Sequence, residues 1–450
     1  MNQEGIIQRE KSKTSKFLIY AIPKFGTSVL MGFADVALAT LYILAYQVSP
    51  FLVGIALALG KFTIAVSQFF WGWISDAKYT RWGRRKPYTI ILSPILAISF
   101  ILLLMPSLVI DLNDLNALFL WLLIIYQIFN ISYGFTAPYA SWMAEQFMVD
   151  ERPRASQYEN TFGFIGTATM LVFSMVVLTG FITKIQENPE VIPLDYSISA
   201  LIFASLMVLL FYLASFFMPT EPHFKIESTM FQNLKVLLKN KNYVNVTIMN
   251  GIASMGMTQV GSLILQFIVI VLHFDQTLNI IASVILVLGI LVFLYMWRKL
   301  VTKIGKKRSI LYIFLSLILF LPFTLLGMIP MESTFIYGLL FMLGIAMCTG
   351  GWFLIPPICF ADIAEDDEKT TGELKAGMYI GFPSIFLNIF QAVGLFIMGT
   401  ILELPDIIVG TSTFSLGYVA WGPIVSLILI LAYLYTRKFI KLDFDWEKRQ

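Results

Sequence analysis

Apolar residues fall into twelve long runs along this chain, each closed by a short polar stretch. A helix needs about 20 apolar residues to cross the hydrocarbon core of a bilayer, and every run is that long. The pattern predicts spans over residues 17–46, 50–75, 87–108, 115–146, 158–184, 196–218, 241–272, 277–298, 308–329, 333–362, 374–403 and 413–437. Several are long enough to tilt or to protrude from the membrane. A polar stretch at 219–240, with Pro219, Pro222, Lys225, Lys235 and Lys239, separates six runs from six. The expected organisation is a tail over 1–16, a six-helix bundle over 17–218, a linker over 219–240, a second bundle over 241–437 and a tail over 438–450.

Composition agrees with an all-α membrane protein of twelve helices. Hydrophobic residues make up 58% of the 450 and charged ones 13%, against about 25% charged in an ordinary soluble domain. A core of that size and composition is solvated by lipid. The net charge of +3 is too small to point to nucleic acid. Cys348 and Cys359 share one predicted span, and His223 and His273 flank spans, so neither a disulfide framework nor a metal site is expected. The first 16 residues lack a signal-peptide pattern. Basic residues fix the orientation: with both termini in the cytoplasm, Lys184 is the one basic side chain outside, and Lys24 and Lys61 lie within spans.

The two halves echo one another. Gly83-Arg84-Arg85-Lys86 ends the loop between the second and third spans, and Gly305-Lys306-Lys307-Arg308 occupies the matching loop of the second half. Six spans plus six, a central linker and a repeated basic loop form the pattern of the major facilitator fold, whose solute site lies near midplane between two bundles. The first loop reads Gly72-Trp73-Ile74-Ser75-Asp76 and continues through Arg81 to Gly83-Arg84-Arg85-Lys86-Pro87-Tyr88. It sets an acid at one helix end against a basic cluster, with Gly83 freeing the turn and Pro87 starting the next helix. Asp76 against Arg81, Arg84 or Arg85 is the expected cytoplasmic latch, and a plain topogenic basic loop is the alternative.

This loop resembles the signature of the glycoside–pentoside–hexuronide:cation symporter family, which includes melibiose permeases and, more distantly, sucrose and animal lysolipid transporters. Three further segments are similar to that family: Ala137-Pro138-Tyr139 through Glu145; Arg152, Arg154 and Tyr158 with Gly163 and Gly166; and Phe360-Ala361-Asp362 with Thr371-Gly372-Glu373 and Gly377-Met378. The resemblance extends from about residue 17 to 437 and implies a gate built from Asp76, Arg81, Arg84, Arg85, Glu145, Arg152, Arg154 and Asp362. The acidic run Asp366-Asp367-Glu368 is expected to dock on Arg152 or Arg154. Positions that carry the family's cation-binding aspartates hold Ile64 and Gln68 here, its fourth-span aspartate is Thr136, and its eleventh-span lysine is Asn388. Sodium coupling is therefore not expected, because a hard cation wants several oxygens with carboxylate charge.

Asp35 is the carboxylate that falls deepest in an apolar run, and Lys61 falls at the same depth in the next one. A buried charge costs several kcal/mol and implies a partner. Asp35 lies about 13 residues before the turn at Gln47-Val48-Ser49-Pro50, and Lys61 about 12 after it, so both sit roughly 18–20 Å from that turn. The two are expected to pair and to couple proton binding to transport; a static pair that sets helix register is the alternative. Lys24, near the cytoplasmic end of its span, is expected to snorkel.

Solute contacts are expected at Tyr126, Gln127, Asn130, Gln259, Asn388 and Gln391, whose amides and hydroxyls suit sugar hydroxyls. Trp352 is the candidate stacking ring, in a tenth span expected to break or bend near Pro356-Pro357. The same polar residues also serve as glue between helices. The whole predicts a monomeric secondary transporter of the plasma membrane, moving a sugar or glycoside by alternating access with a proton or without coupling. It is not an enzyme and has no cofactor or metal; lipid is its surroundings. A lysolipid-like solute, marked by a side opening between the fifth and eighth spans, and a non-transporting sensor are the alternatives.

Overall fold

The computed structural model describes residues 12–148, 151–187, 192–220, 230–329, 333–371, 383–409 and 412–442. Expectations placed on Pro222, Lys225, His223, Gly372 through Met378 and the ends of both tails lie outside these. Twelve helices are long and apolar enough to span a membrane: Thr14–Ala45, Pro50–Ala77, Lys86–Leu104, Leu115–Met143, Arg154–Ile182, Leu194–Phe217, Lys241–Ile270, Thr277–Ile304, Lys306–Met328, Phe335–Asp367, Pro383–Leu402 and Leu416–Phe439. They are called the first to twelfth spans below. Caps start several of them. Asp114, Asn240 and Asp275 accept backbone N–H groups at the heads of the fourth, seventh and eighth spans, which satisfies donors that a helix start leaves free.

Burial sorts the spans. The seventh is 72% buried and the first 67%, whereas the eighth is only 28%. Spans 1 and 7 therefore stand at the centre, and span 8 faces lipid. Along span 1 the partly accessible positions Lys24, Ser28, Met31 and Asp35 recur at helical spacing on one face, and residues 36–43 beyond them are all buried. Span 7 repeats this with Ile248, Ile252, Met255, Thr258 and Gly261, followed by buried residues 262–268. Both stripes run inward from the face that carries the basic loops and stop at the same depth.

What closes the other face is contact between the halves. Ser49 Oγ donates to Glu403 Oε1 at 2.5 Å, and the Phe51 N–H reaches the same oxygen at 3.2 Å. The Phe51 and Phe396 rings meet edge-on with centroids 5.9 Å apart. Gly54 and Gly399 bring spans 2 and 11 into backbone contact; a Cβ on Gly54 would lie 2.8 Å from the Gly399 Cα. Asn279 Nδ2 donates to Thr179 Oγ1 at 3.3 Å, joining the eighth and fifth spans. The halves are thus sealed together at the face of the 47–50 turn, and the accessible stripes lead away from it toward the basic face.

Four spans depart from regular α-helix among the described residues, the fourth span by a turn at 134–135 between Leu115–Tyr133 and Thr136–Gln146. The first has π turns at Phe33–Ala37 and Leu41–Ala45, and the fifth has one at Ser174–Leu178. The ninth tightens into a 3-10 turn at Leu321–Met328. The tenth, expected to break or bend at its prolines, shows no break: it runs as one helix from Phe335 to Thr371. Its glycines serve packing: a Cβ on Gly350 would lie 3.0 Å from the Ile290 carbonyl oxygen in span 8, and one on Gly351 2.8 Å from Ile313 in span 9. With neighbours that close on both sides, the helix stays continuous even where prolines remove N–H donors.

Candidate functional site

Asp35 lies on the first π turn of span 1, the kind of local widening that recurs at functional sites. Its carboxylate accepts from Lys61 Nζ of span 2 at 2.5 Å. The pair is lopsided: the Lys61 side chain is 4% exposed and that of Asp35 41%. Lysine is enclosed in protein while the aspartate faces the accessible track at its inner end. The Asp35 carbonyl oxygen accepts from Ser262 Oγ of span 7 at 2.8 Å, so the backbone at this turn also bridges the two halves. A charge, its counter-charge and an inter-half hydrogen bond meet at one turn of helix.

Around them the polar candidates divide. Tyr126 and Asn130 are fully buried, set against Gly60, where a Cβ would overlap both the tyrosine ring and the asparagine amide. Asn130 Nδ2 donates to the Tyr126 carbonyl at 2.7 Å, and its own carbonyl accepts from Ser67 Oγ at 2.9 Å. Gln259, also fully buried, donates to the Met255 carbonyl one turn back at 3.2 Å. Tyr126 lies within electrostatic reach of Asp35. Gln127 is partly accessible and accepts from Thr63 Oγ1 at 2.5 Å. Asn388, Gln391 and Trp352 are partly accessible too. These four keep some accessible surface, whereas Tyr126, Asn130 and Gln259 are wrapped by neighbouring helices.

One polar chain was not foreseen as such. Gln68 Nε2 donates to Thr136 Oγ1 and Gln68 Oε1 accepts from Ser384 Oγ, both at 3.2 Å. Spans 2, 4 and 11 are so linked by neutral groups where related carriers are expected to hold a cation.

A second ion pair lies nearer the basic face. Lys24 Nζ is 3.7 Å from Glu159 Oε1, and Tyr20 Oη donates to Glu159 Oε2 at 3.2 Å. The reading of Lys24 as a snorkelling side chain is corrected here: it turns toward span 5 and an acid. Glu159 escaped notice because span 5 was expected to begin at 158. The helix begins at Arg152, which puts Glu159 two turns inside. Its spacing to Gly163 and Gly166 is the signal that would have found it, since all three fall on the face against span 1.

On the basic face Arg85 is the hub. Its guanidinium donates to Glu145 Oε1 through Nε at 3.0 Å and Nη2 at 2.5 Å, and through Nη1 to Ser75 Oγ at 2.6 Å. Nη1 also pairs with Asp76 at 2.6 Å. Burial works against the Arg85 charge, but the bonds and charges of Glu145 and Asp76 outweigh it and raise its pKa. Arg84 is buried beside the ring of Tyr79. Arg81, by contrast, is exposed and stacks on Trp82. In the second half Lys306 pairs with Asp362 at 2.8 Å, as Arg85 does with Glu145. The two loop glycines, Gly83 at φ 100° and Gly305 at φ 87°, share the left-handed backbone that favours glycine.

Arg154 and Arg152 are held near the head of span 5. Arg154 donates to Thr14 Oγ1 at 3.2 Å and lies over the rings of Phe17 and Tyr158, and Arg152 Nε reaches the Phe147 carbonyl at 3.4 Å. Just before the acidic run, Glu365 pairs with Lys369 at 2.7 Å. The start of span 1 is clamped nearby: Ser12 donates through its N–H at 2.5 Å and through Oγ at 2.9 Å to Glu151. Lys16 donates to the Gln146 carbonyl at 2.5 Å.

A family model described as MFS/sugar transport protein matches residues 19–438. Among curated proteins none matches significantly. Several solved structures share the fold. A D-xylose–proton symporter is 14% identical with a TM-score of 0.66, over 95% of this chain and 97% of that one. The nucleoside transporter NupG is 16% identical with a TM-score of 0.57, over 95% and 100%. The xylose transporter XylE from E. coli, in an inward-open conformation, is 15% identical with a TM-score of 0.60, over 96% of each. At these identities the likeness speaks for the fold.

Proposed function

This chain belongs to the MFS/sugar transport protein family and is a multi-pass secondary transporter of small solutes; from that premise we propose that it carries a sugar or glycoside together with a proton, with Asp35 as the proton-binding group. The observation that supports this most is the place of Asp35: it is half-exposed at the blind end of the accessible track, while its partner Lys61 is enclosed. A carboxylate there meets water from one side only, and in the opposite conformation would meet it from the other. Intramembrane acids paired with a cation mark proton relays. Thr63, Gln127, Asn388, Gln391 and Trp352 supply the donors, acceptors and aromatic face that a sugar needs.

Sodium coupling finds no support, because the chain of Gln68, Thr136 and Ser384 offers only neutral groups. The basic face is the cytoplasmic one by the positive-inside rule, so both termini lie inside and the plasma membrane is the expected site. The protein acts as a single copy, and as a carrier rather than an enzyme. A lysolipid-like solute is disfavoured by the Asn279–Thr179 bond, which joins the fifth and eighth spans.

The test is solute-induced pH change in liposomes or cells across D-xylose, D-glucose, melibiose and similar sugars, repeated with Asp35→Asn. Alkalinisation of the medium by one sugar with the intact protein, and none with Asp35→Asn, is the expected result. Sugar uptake without a pH change in either form would leave Asp35 and Lys61 a structural pair and the protein a uniporter.

A further inference from the structure

We propose that Glu159, held by Lys24 at the basic-face end of the accessible track, is a second proton-carrying group that passes the Asp35 proton to the solution. This rests on the proton-coupled reading above and adds a residue and a route to it. Lys24 and Asp35 are the two ends of one accessible stripe on span 1, with Ser28 and Met31 between them. Eleven residues separate them, about 16 Å at ~1.5 Å per residue. That is too far for one transfer and needs hydroxyls or water in between.

A tyrosine of span 4 is the candidate hydroxyl for that gap. Tyr133 of span 4 lies within electrostatic reach of Lys24, Asp35 and Glu159 alike. Glu159 is faced by Lys24 and Tyr20 from span 1 and by Tyr133 and Tyr139 from span 4. Asp35 is faced by Lys61, Tyr126 and Tyr133. Gly163 and Gly166 let span 5 approach span 1 closely enough to seat the pair: a Cβ on Gly163 would lie 3.2 Å from Lys24 Cγ, and one on Gly166 would overlap the Phe25 carbonyl oxygen.

The two ion pairs differ in a way that suits sequential transfer. Asp35 and Lys61 are at hydrogen-bond distance, 2.5 Å, whereas Lys24 and Glu159 are 3.7 Å apart. Glu159 is thus held loosely by its cation at one oxygen and by the Tyr20 hydroxyl at the other, and its side chain keeps 14% exposure beside 33% for Lys24. The step balances simply. The Asp35 carboxylic acid loses its proton to the hydroxyl and water chain, the Glu159 carboxylate gains one, and Glu159 then yields it to water at the basic face. Lys24 stays an ammonium throughout and holds the site neutral whenever Glu159 is ionised. A charged pair two turns inside a span that served only packing would be costly to keep.

The experiment separates proton release from solute movement. In exchange of labelled for unlabelled sugar the loaded, protonated carrier cycles without releasing its proton, whereas net uptake requires release at the basic face. The probe is the first sugar of the panel that alkalinises the medium with the unaltered protein. With Glu159→Gln, net proton-driven uptake is expected to fall at least ~100-fold, the low end of what a lost proton-transfer group costs, while exchange stays within about twofold. Raising the pH on the basic side should restore part of the uptake, and Glu159→Asp should restore most of it. A parallel fall of uptake and exchange in Glu159→Gln with no recovery in Glu159→Asp would make the pair structural. Unchanged uptake in Glu159→Gln, with alkalinisation by the intact protein, would overturn this route and leave Asp35 standing alone. No alkalinisation by the intact protein for any sugar would overturn the proton reading and this route together.

Discussion

Arg85 and Arg81 sit four residues apart in one loop and have opposite fates. Arg85 is buried and holds two carboxylates, one of them itself buried. Arg85→Ala leaves those charges without their cation and should cost about 3–5 kcal/mol, as breaking a buried pair does. Arg81→Ala, at an exposed side chain, should stay within about 0.5 kcal/mol. Thermal unfolding in detergent measures both, and equal shifts would mean that Arg85 is not the hub. Asp35 and Lys61 should behave as a unit: Lys61→Met alone leaves a carboxylate unpaired, and Lys61→Met with Asp35→Asn should recover about 1–3 kcal/mol of the loss. A strictly additive double variant would contradict the pairing. Residue spacing foretold this pair because helical rise is constant, so equal counts from a shared turn mean equal depth. It could not foretell that Tyr126, Asn130 and Gln259 are enclosed while Gln127 is not. Rotation of a helix among several apolar neighbours leaves little mark on a sequence hydrophobic on every side.

Elements show how the ends of helices are tied. The head of span 1 is held to the segment before span 5 through Glu151. Burial works to raise the Glu151 pKa, but the Ser12 N–H and Oγ, the Met148 N–H and the nearby Lys16 outweigh it and lower the value below the usual carboxylate range. A lowered folded-state pKa means stabilisation that is complete above the unfolded carboxylate value and is lost as pH falls through the folded one. The clamp should therefore hold at neutral and mildly acidic pH and release only in stronger acid; Glu151→Gln should loosen it at neutral and mildly acidic pH and remove the acid transition. Hydrogen exchange at Ser12 and Met148, followed against pH, reports it, and release near neutral pH would contradict the assignment. The tenth span carries the opposite lesson. Two adjacent prolines and two glycines suggested a break, yet close packing on spans 8 and 9 keeps the helix whole. Local sequence states a propensity, and neighbours decide whether it is expressed.

At the scale of the whole molecule, the seal opposite the basic face rests on Gly54 against Gly399 and on Glu403 capping the head of span 2. Gly54→Val would force the backbones apart at a cost of about 1–3 kcal/mol, enough to shift a two-state balance some 5–150-fold. Thr40→Cys, fully enclosed beyond Asp35, should then react with a membrane-impermeant thiol reagent from the non-basic side, and should not when Gly54 is intact. Ser28→Cys should react from the basic side in the unaltered background. Native Cys348 and Cys359 are buried and give little background. Equal labelling of Thr40→Cys with and without Gly54→Val would deny the seal its assigned place. The sequence by itself determined twelve spans, the side that bears the basic loops and the depth of Asp35 and Lys61, because a bilayer punishes unpaired charge and fixes helix length. Tertiary structure alone decided which face is sealed, which polar residues line the track and that Glu159 partners Lys24. Those facts depend on how helices turn and touch, and apolar runs of similar composition do not encode that one span at a time.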